Sequence, residues 1–182
     1  MDGPAELLRD FVNTYDVEGD TDELASPAEL AVWLRERRLI SDTDRAVDDD
    51  WALAVNLREG LRSVLRHGRS RSSLPAAVPA ELDAALAALP MRVTLVDGTP
   101  ASEPLGKGAT RGIGLLAAAI LQAHADGGWP RLKVCAEDTC QWAFIDSSKN
   151  RSRSWCSMRV CGNRTKTRAY RARRQQHSPA PS

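Results

Sequence analysis

The chain has 182 residues, 42% of them hydrophobic, and a formal net charge of +1. This length and composition fit one medium domain, or one domain with a small module, and exclude a chain that is disordered throughout. The net charge hides a split. Residues 131–174 carry 12 Lys and Arg against three Asp and Glu, a net charge of +9 that leaves −8 for the remainder. Such asymmetry suggests a segment that meets a polyanion, although a merely solvated basic surface is the simpler alternative.

The N-terminal residues lack the basic start and apolar run of a secretory signal. The longest apolar stretch, residues 113–123, is too short to span a bilayer. We therefore expect a soluble, cytoplasmic protein that is associated with the nucleoid and has no membrane partner.

Helical periodicity dominates the first third of the chain. Residues 5–12 predict a short amphipathic helix. Ser26 as N-cap, with Pro27 at the first helical position and Glu29 three residues after the cap, predicts a second helix through a capping box. A longer helix is predicted from near Ser41 or Thr43 to about His67, and we expect it to include Val47 and Trp51.

Residues 68–79 indicate a loop, and Pro79 is expected to open a helix that ends at Leu89. Residues 91–106 then change to an alternating pattern around an Asp-Gly turn, which predicts a β-hairpin. Residues 108–125 return to a helix, with Ile113, Leu116, Ile120 and Leu121 predicted to be buried. The predicted organisation is an N-terminal domain over 1–126, a hinge over 127–130, a cysteine-containing module over 131–175 and a disordered tail over 176–182.

All four cysteines lie in the basic segment, at Cys135, Cys140, Cys156 and Cys161. Four residues separate the members of each pair and fifteen separate the pairs, a spacing suited to one tetrahedral zinc ion. Disulfides are the alternative, which a reducing compartment disfavours. A catalytic zinc keeps one position open for water, whereas four thiolates close the shell, so we expect one structural Zn²⁺.

The residues around the cysteines predict a compact module. The segments before and after the first pair suggest the strands of a short hairpin, and the second pair lies at the start of a helix predicted over 157–175. A knuckle followed by a helix resembles a treble clef. The predicted fold class is therefore α+β: a mostly helical N-terminal domain with a small β-hairpin, followed by a small four-cysteine zinc module with a C-terminal basic helix.

The same segment supplies candidate nucleic-acid contacts. Arg164, Arg168 and Arg171 share one helical face, and Lys166 widens it. Arginine at this density suits phosphate contacts and bidentate guanine recognition. The candidate nucleic-acid-binding residues, on the helix and on the loop before it, are Lys149, Arg151, Arg153, Asn163, Arg164, Lys166, Arg168 and Arg171. Double-stranded DNA is the expected partner, and RNA stays open because the same charges serve either backbone.

At residues 131–174 the pattern resembles the CGNR zinc-finger family, whose name spells the run Cys161-Gly162-Asn163-Arg164. The flanking Asp146, Trp155 and Met158 agree with it as well as the cysteines do. The N-terminal "LLRDFVNTYD", followed by "DELASPAELAVWLRERRLI", resembles the ABATE domain, regarded as a stress-induced transcription regulator domain. Together these resemblances imply a bacterial transcription regulator with one structural zinc.

Several alternatives stay open. The basic helix could dock an acidic protein or fold back on the acidic N-terminal domain. An enzyme would need a carboxylate or histidine constellation, and we find none, so no enzymatic activity is expected. Asn13 and Thr14 could line a pocket for a small-molecule effector or could cap a helix. A homodimer would help affinity and half-site reading, but no residue pattern indicates one.

Overall fold

A computed structural model describes residues 3–67 and 79–176 of the chain. These residues form six α-helices and six short strands. The helices are α1 (Pro4–Val12), α2 (Pro27–Glu36), α3 (Asp48–His67), α4 (Ala80–Ala87), α5 (Gly108–Ala125) and α6 (Asn163–Gln176). The strands are β1 (Tyr15–Asp16), β2 (Thr21–Asp22), β3 (Met91–Val96), β4 (Thr99–Pro104), β5 (Leu132–Val134) and β6 (Ala143–Ile145). They form three two-stranded antiparallel sheets, β1–β2, β3–β4 and β5–β6, and the α+β fold class is confirmed.

The capping box predicted for the second helix is confirmed at α2. Proline occupies the start of both α1 and α2. At α2 the Ser26 hydroxyl oxygen accepts a hydrogen bond from the Glu29 N–H at 3.3 Å, and the hydroxyl donates to Glu29 Oε2 at 3.0 Å. The box thus satisfies one of the four N–H groups that a helix start leaves without an intrahelical partner.

Helix α3 begins at Asp48, later than the predicted start near Ser41 or Thr43. The Asp44 carboxylate accepts hydrogen bonds from the N–H and the hydroxyl of Ser41, both at 2.8 Å, which hold this segment in a turn. The prediction that Val47 belongs to the helix was wrong, since this residue precedes it and is 61% exposed. The loop predicted over 68–79 lies outside the described residues apart from Pro79, the N-cap of α4.

One apolar core joins α1, α2, α3 and α5. Its fully buried side chains include Phe11, Leu34, Leu57 and Leu116. Helix α4 packs closely on α3 at Gly60, where an added Cβ would lie 2.5 Å from the Leu82 Cβ, so glycine is needed there. Burial along α5 follows the predicted period, with one exception: Leu121 was predicted to be buried and is 58% exposed. It lies beyond the part of the α5 surface that the other helices cover.

The hairpin predicted after α4 is confirmed as β3–β4, with pairs from Met91–Pro104 to Val96–Thr99. Asp97 and Gly98 both have positive φ, 47° and 77°, as a two-residue type I′ turn requires. Helix α5 covers β4, while Val93 on β3 is 80% exposed.

The last hairpin, β5–β6, packs into the N-terminal core. Leu132, Val134 and Ala143 belong to the same buried cluster as the side chains of α1 and α3. A 3-10 turn, Trp129–Arg131, leads into β5, and Trp129 packs against that cluster. The hinge at 127–130 and the domain limits stay predictions. Gln176, predicted to begin a disordered tail, is instead the last residue of α6, and residues 177–182 of that tail lie outside the described part. No helix within 3–67 or 79–176 combines the length and apolar character that crossing a membrane needs.

Candidate metal centre and basic helix

The four cysteine sulfurs converge on one point. All four lie within 4.8 Å of one another. The Cys140 and Cys156 sulfurs are 3.6 Å apart, and those of Cys156 and Cys161 are 3.7 Å apart. A tetrahedral ion with zinc–sulfur bonds of about 2.3 Å requires sulfur–sulfur distances of about 3.8 Å. A disulfide would need about 2.05 Å, so the geometry fits one metal ion and no disulfide.

Each cysteine pair is presented by a tight local structure. The first pair lies between β5 and β6, and the Cys140 N–H donates to the Glu137 carbonyl at 3.0 Å. The second pair spans a π-helical turn, Met158–Gly162, which the Ser157 hydroxyl caps by accepting from the Val160 N–H at 3.3 Å. The local backbone conformation around each cysteine pair therefore brings the sulfurs together.

The pKa values of three of the cysteine thiols favour the binding of a cation. Backbone N–H groups of Cys156 and Glu137 donate to the Cys135 sulfur, which lowers the pKa of that thiol although burial opposes ionisation. Burial and the nearby Cys135 thiolate raise the pKa of the Cys140 thiol well above its usual range. The same two causes raise the pKa of the Cys156 thiol to about 12. Four thiolates cannot share this small volume unless a cation neutralises them. A soft divalent ion such as zinc supplies that charge, so the cluster fits one structural zinc ion.

A buried carboxylate links α6 to the first cysteine knuckle, which is the turn between Cys135 and Cys140. Glu137 is only 1% exposed. Its Oε1 accepts from Arg168 Nη2 at 2.8 Å and its Oε2 accepts from the Thr165 hydroxyl at 2.9 Å. The hydrogen bond from Arg168 is the main reason that the pKa of Glu137 lies below its usual range. Trp155 Nε1 donates a hydrogen bond of 3.1 Å to Thr165 Oγ1. One side of α6 is therefore held against the metal module, the segment that carries the four cysteines.

A second buried carboxylate organises the basic loop between β6 and the second cysteine pair. Asp146 is fully buried. Lys133 Nζ donates to its Oδ2 at 2.6 Å, and the N–H of Arg153 donates to the same oxygen at 2.9 Å. Although burial alone would raise the pKa of Asp146, the hydrogen bonds from Lys133 and from Ser148 hold it well below its usual range.

Replacing Asp146 with asparagine is expected to destabilise the protein by about 3 kcal/mol, because the Lys133 ammonium would lose its buried partner. The pKa of Asp146 is lower in the folded protein than in the unfolded chain. Its stabilisation is therefore complete above the unfolded value of about 3.9 and is lost as the pH falls below it. Urea unfolding of the wild-type protein and of Asp146→Asn should give the same difference in the free energy of unfolding at about pH 8 and at about pH 6.

Asp138→Asn is the matched control, since that carboxylate is 72% exposed in its pair with Arg66 and its loss should cost less than about 1 kcal/mol. A difference for Asp146→Asn that disappeared between those two pH values would show that the pKa of Asp146 is raised and not lowered.

Three arginines spaced one helical turn apart on α3 connect the end of α1 and the loop after it to the segment around the first cysteine pair. Arg58 binds Asp22 through both oxygens, at 2.6 and 2.8 Å. Arg62 donates to the carbonyls of Val12 at 2.6 Å, Tyr15 at 3.0 Å and Gln141 at 3.0 Å. Arg66 pairs with Asp138. Both Arg58 and Arg62 are buried.

This arginine ladder, formed by Arg58, Arg62 and Arg66, connects the acidic loop after α1 with the first cysteine knuckle. Hydrogen bonds from Arg58 and from the Leu24 N–H hold the pKa of Asp22 below its usual range, although burial opposes the charge. The ladder and the shared core fix the metal module on the N-terminal helices.

Two family models match the sequence of the chain. The ABATE model, described as "Putative stress-induced transcription regulator", matches residues 5–138, well over half of the chain. The chain belongs to the ABATE family. A second model, the CGNR zinc finger, matches residues 131–174 of this ABATE protein. The two matches share residues 131–138, where β5 and Cys135 lie. Curated proteins include no match to the chain.

The residues predicted to bind nucleic acid fall into two groups in this ABATE protein. Lys149, Arg151 and Arg153 are exposed on the basic loop, as are Asn163, Lys166 and Arg171 on α6. Arg164 and Arg168 instead pair with carboxylates of the chain itself, Glu18 at 2.8 Å and Glu137 at 2.8 Å. A contact of any of them with nucleic acid stays a prediction.

Asn13 and Thr14 of the predicted effector pocket both have internal partners. Asn13 ends α1, and its side-chain amide pairs with the backbone of Ala143 through bonds of 2.7 and 3.0 Å. Thr14 is buried and donates to the Phe11 carbonyl at 2.8 Å. Asn13 also borders an open cleft of about 550 Å³, together with Arg9, Arg37 and Trp142. An effector in this cleft stays a prediction.

Sequence reasoning missed the arginine ladder and the buried carboxylates Glu137 and Asp146. Arg58, Arg62 and Arg66 recur every four residues along a predicted helix, and this spacing could have indicated a shared partner. No local signal marks Glu137 as buried, because its partners on α6 lie 28 and 31 residues away.

Proposed function

We propose that this ABATE protein is a transcription regulator without enzymatic activity that binds double-stranded DNA through its zinc module and α6. The observation that carries the proposal is the concentration of exposed cations on the metal-supported element. Lys166 and Arg171 are exposed on α6, and Lys149 and Arg151 are exposed on the adjacent loop. A helix that a metal module supports and that carries cations along its length suits a groove of duplex DNA.

The metal would act structurally in this function. Cys135, Cys140, Cys156 and Cys161 would hold Zn²⁺ in a closed shell, which fixes the π-helical turn that contains Cys161 and leads into α6. Helix α6 is almost entirely polar and has little apolar surface of its own to bury. Zinc binding would therefore stabilise the folded form of a basic segment that is too short and too polar to fold alone.

Salt dependence is the direct test of the proposed DNA binding. The zinc-loaded protein should bind a random-sequence duplex, with an affinity that falls steeply as salt rises. Each neutralised phosphate contributes a slope of about −0.9 in log K against log salt, and four to six contacts give a total of roughly −4 to −5. Fluorescence anisotropy between about 50 and 200 mM salt measures this slope.

The alternatives give different results in the same titration. An acidic-protein partner predicts no binding to the duplex even at low salt. An RNA partner predicts tighter binding to a structured RNA than to a duplex of the same length and charge. The homodimer and the small-molecule effector stay predictions that this titration does not address.

A further inference from the structure

Helix α6 has two faces that differ in their contacts. The inner face consists of Arg164, Thr165 and Arg168, and each of these side chains has a partner within the chain. Arg164 binds Glu18 at 2.8 Å and Thr139 Oγ1 at 3.3 Å. Thr165 and Arg168 both bind the buried Glu137 carboxylate. The inner face therefore attaches α6 to the rest of the protein.

The outer face consists of Asn163, Lys166 and Tyr170. These residues follow the helical spacing i, i+3, i+7 and point away from the inner face. All three are exposed. Lys166 has no ion-pair partner and the Tyr170 hydroxyl has no hydrogen-bond partner among the described residues. The outer face thus offers a cation and an aromatic ring to solvent.

Asn163 keeps the hydrogen-bonding capacity that base recognition needs. Its Nδ2 donates to the Arg159 carbonyl at 3.0 Å, which fixes the side chain at the first turn of α6. The second Nδ2 hydrogen and Oδ1 have no partner within residues 3–67 and 79–176. An asparagine with one donor and one acceptor available can bind the N6 and N7 positions of adenine. In helices that enter the major groove, residues near the N-terminus typically contact base edges.

Charge also distinguishes the faces. The positive charges of Arg164 and Arg168 are already balanced by Glu18 and Glu137, and the Glu18 carboxylate is half-exposed beside Arg164. A phosphate that approached the inner face would meet these carboxylates and would have to break ion pairs. On the outer face Lys166 meets no such competition from the described residues, so a polyanion gains more there.

We propose that the outer face of α6 is the surface that enters the major groove, with Asn163 reading a base edge, Lys166 contacting phosphate and Tyr170 packing against the groove wall. Arg164 and Arg168 are positioning residues that hold α6 on the cysteine module. This inference rests on the proposed DNA binding. One face of α6, and not the whole basic helix, would then contact the bases.

Matched substitutions on the two faces test this assignment. A duplex selected by the wild-type protein from a random pool is the specific probe, and the unselected pool is the nonspecific probe. Lys166→Ala should weaken binding to both probes and should reduce the salt slope by about 0.9, the value for one lost phosphate contact. Asn163→Ala should weaken binding to the selected duplex alone, by about 5- to 150-fold, the usual range for one base contact.

Arg168→Gln is the inner-face control, because glutamine removes the charge that pairs with Glu137 and has a helix propensity similar to that of arginine. It should keep the wild-type salt slope and one zinc per chain while lowering the thermal midpoint. Arg164→Gln, whose ion pair with Glu18 is partly exposed, is the second control if Arg168→Gln does not fold.

Two results would overturn the inference while leaving DNA binding intact. One is an inner-face variant that retains zinc but loses as much salt slope as Lys166→Ala. The other is that the Lys166→Ala and Asn163→Ala variants bind both probes as tightly as the wild-type protein does. Absence of duplex binding by the wild-type protein would instead overturn the proposed function and this inference together.

Discussion

Cys156→Ser is expected to abolish stoichiometric zinc binding and to unfold α6. Structural zinc contributes about 10–16 kcal/mol of apparent binding free energy in small zinc modules, and the loss of one of four thiolates removes most of it. Helix α6 spans 14 residues, and an isolated helix of that length is marginal in water. Metal analysis should give far less than one zinc per chain, and far-UV circular dichroism should show a loss of helicity.

The effect should spread beyond the metal module. Leu132, Val134 and Ala143 of β5 and β6 are part of the N-terminal core, so unfolding of the module would expose core surface. We expect the remaining helices to unfold at a clearly lower temperature than in the wild-type protein.

Val160→Ser is the matched control for Cys156→Ser, because it introduces the same residue between the second pair of cysteines at a half-exposed position. It should retain one zinc and nearly the full helicity. The structural zinc would be contradicted if Cys156→Ser kept one zinc per chain together with wild-type helicity.

Arg62→Met is expected to lower the free energy of unfolding by about 3–5 kcal/mol. Its guanidinium is buried and binds three backbone carbonyls, of which those of Val12 and Gln141 belong to α1 and the cysteine knuckle. Methionine fills a similar volume but leaves these buried acceptors without a donor. Urea unfolding of the zinc-saturated proteins at neutral pH measures the difference.

Arg66→Met lies one turn further along α3 and is the control for Arg62→Met. Its ion pair with Asp138 is largely exposed, so its loss should cost less than about 1 kcal/mol. If Arg62→Met cost no more than Arg66→Met, the buried contacts of Arg62 would not be what fixes the metal module on the N-terminal helices.

The features that the sequence predicts well are local. The spacing of the four cysteines alone identifies the metal centre, because the two close pairs bring their own ligands together. Ser26 and Glu29 mark the start of α2, and Asp97-Gly98 marks the β3–β4 turn, since each motif satisfies its backbone groups within a few residues.

The features that the sequence does not predict depend on contacts between distant residues. Arg164 and Arg168 look like free cations on a basic helix, and only the fold brings Glu18 and Glu137 to them. The exposure of Leu121 has the same origin, because periodicity gives the apolar face of α5 but not the extent to which neighbouring helices cover it. Residue spacing therefore describes α6 as uniformly basic, whereas tertiary contacts divide it into two faces.

Removal and return of zinc during a duplex-binding experiment tests most directly whether the metal module supports a DNA-binding helix. The zinc-loaded protein should bind a random-sequence duplex with a steep salt slope. Chelation should abolish that binding, and one equivalent of Zn²⁺ should restore both the affinity and the slope. Equal binding by the zinc-free protein, or no binding by the zinc-loaded one, would contradict this role of the metal module.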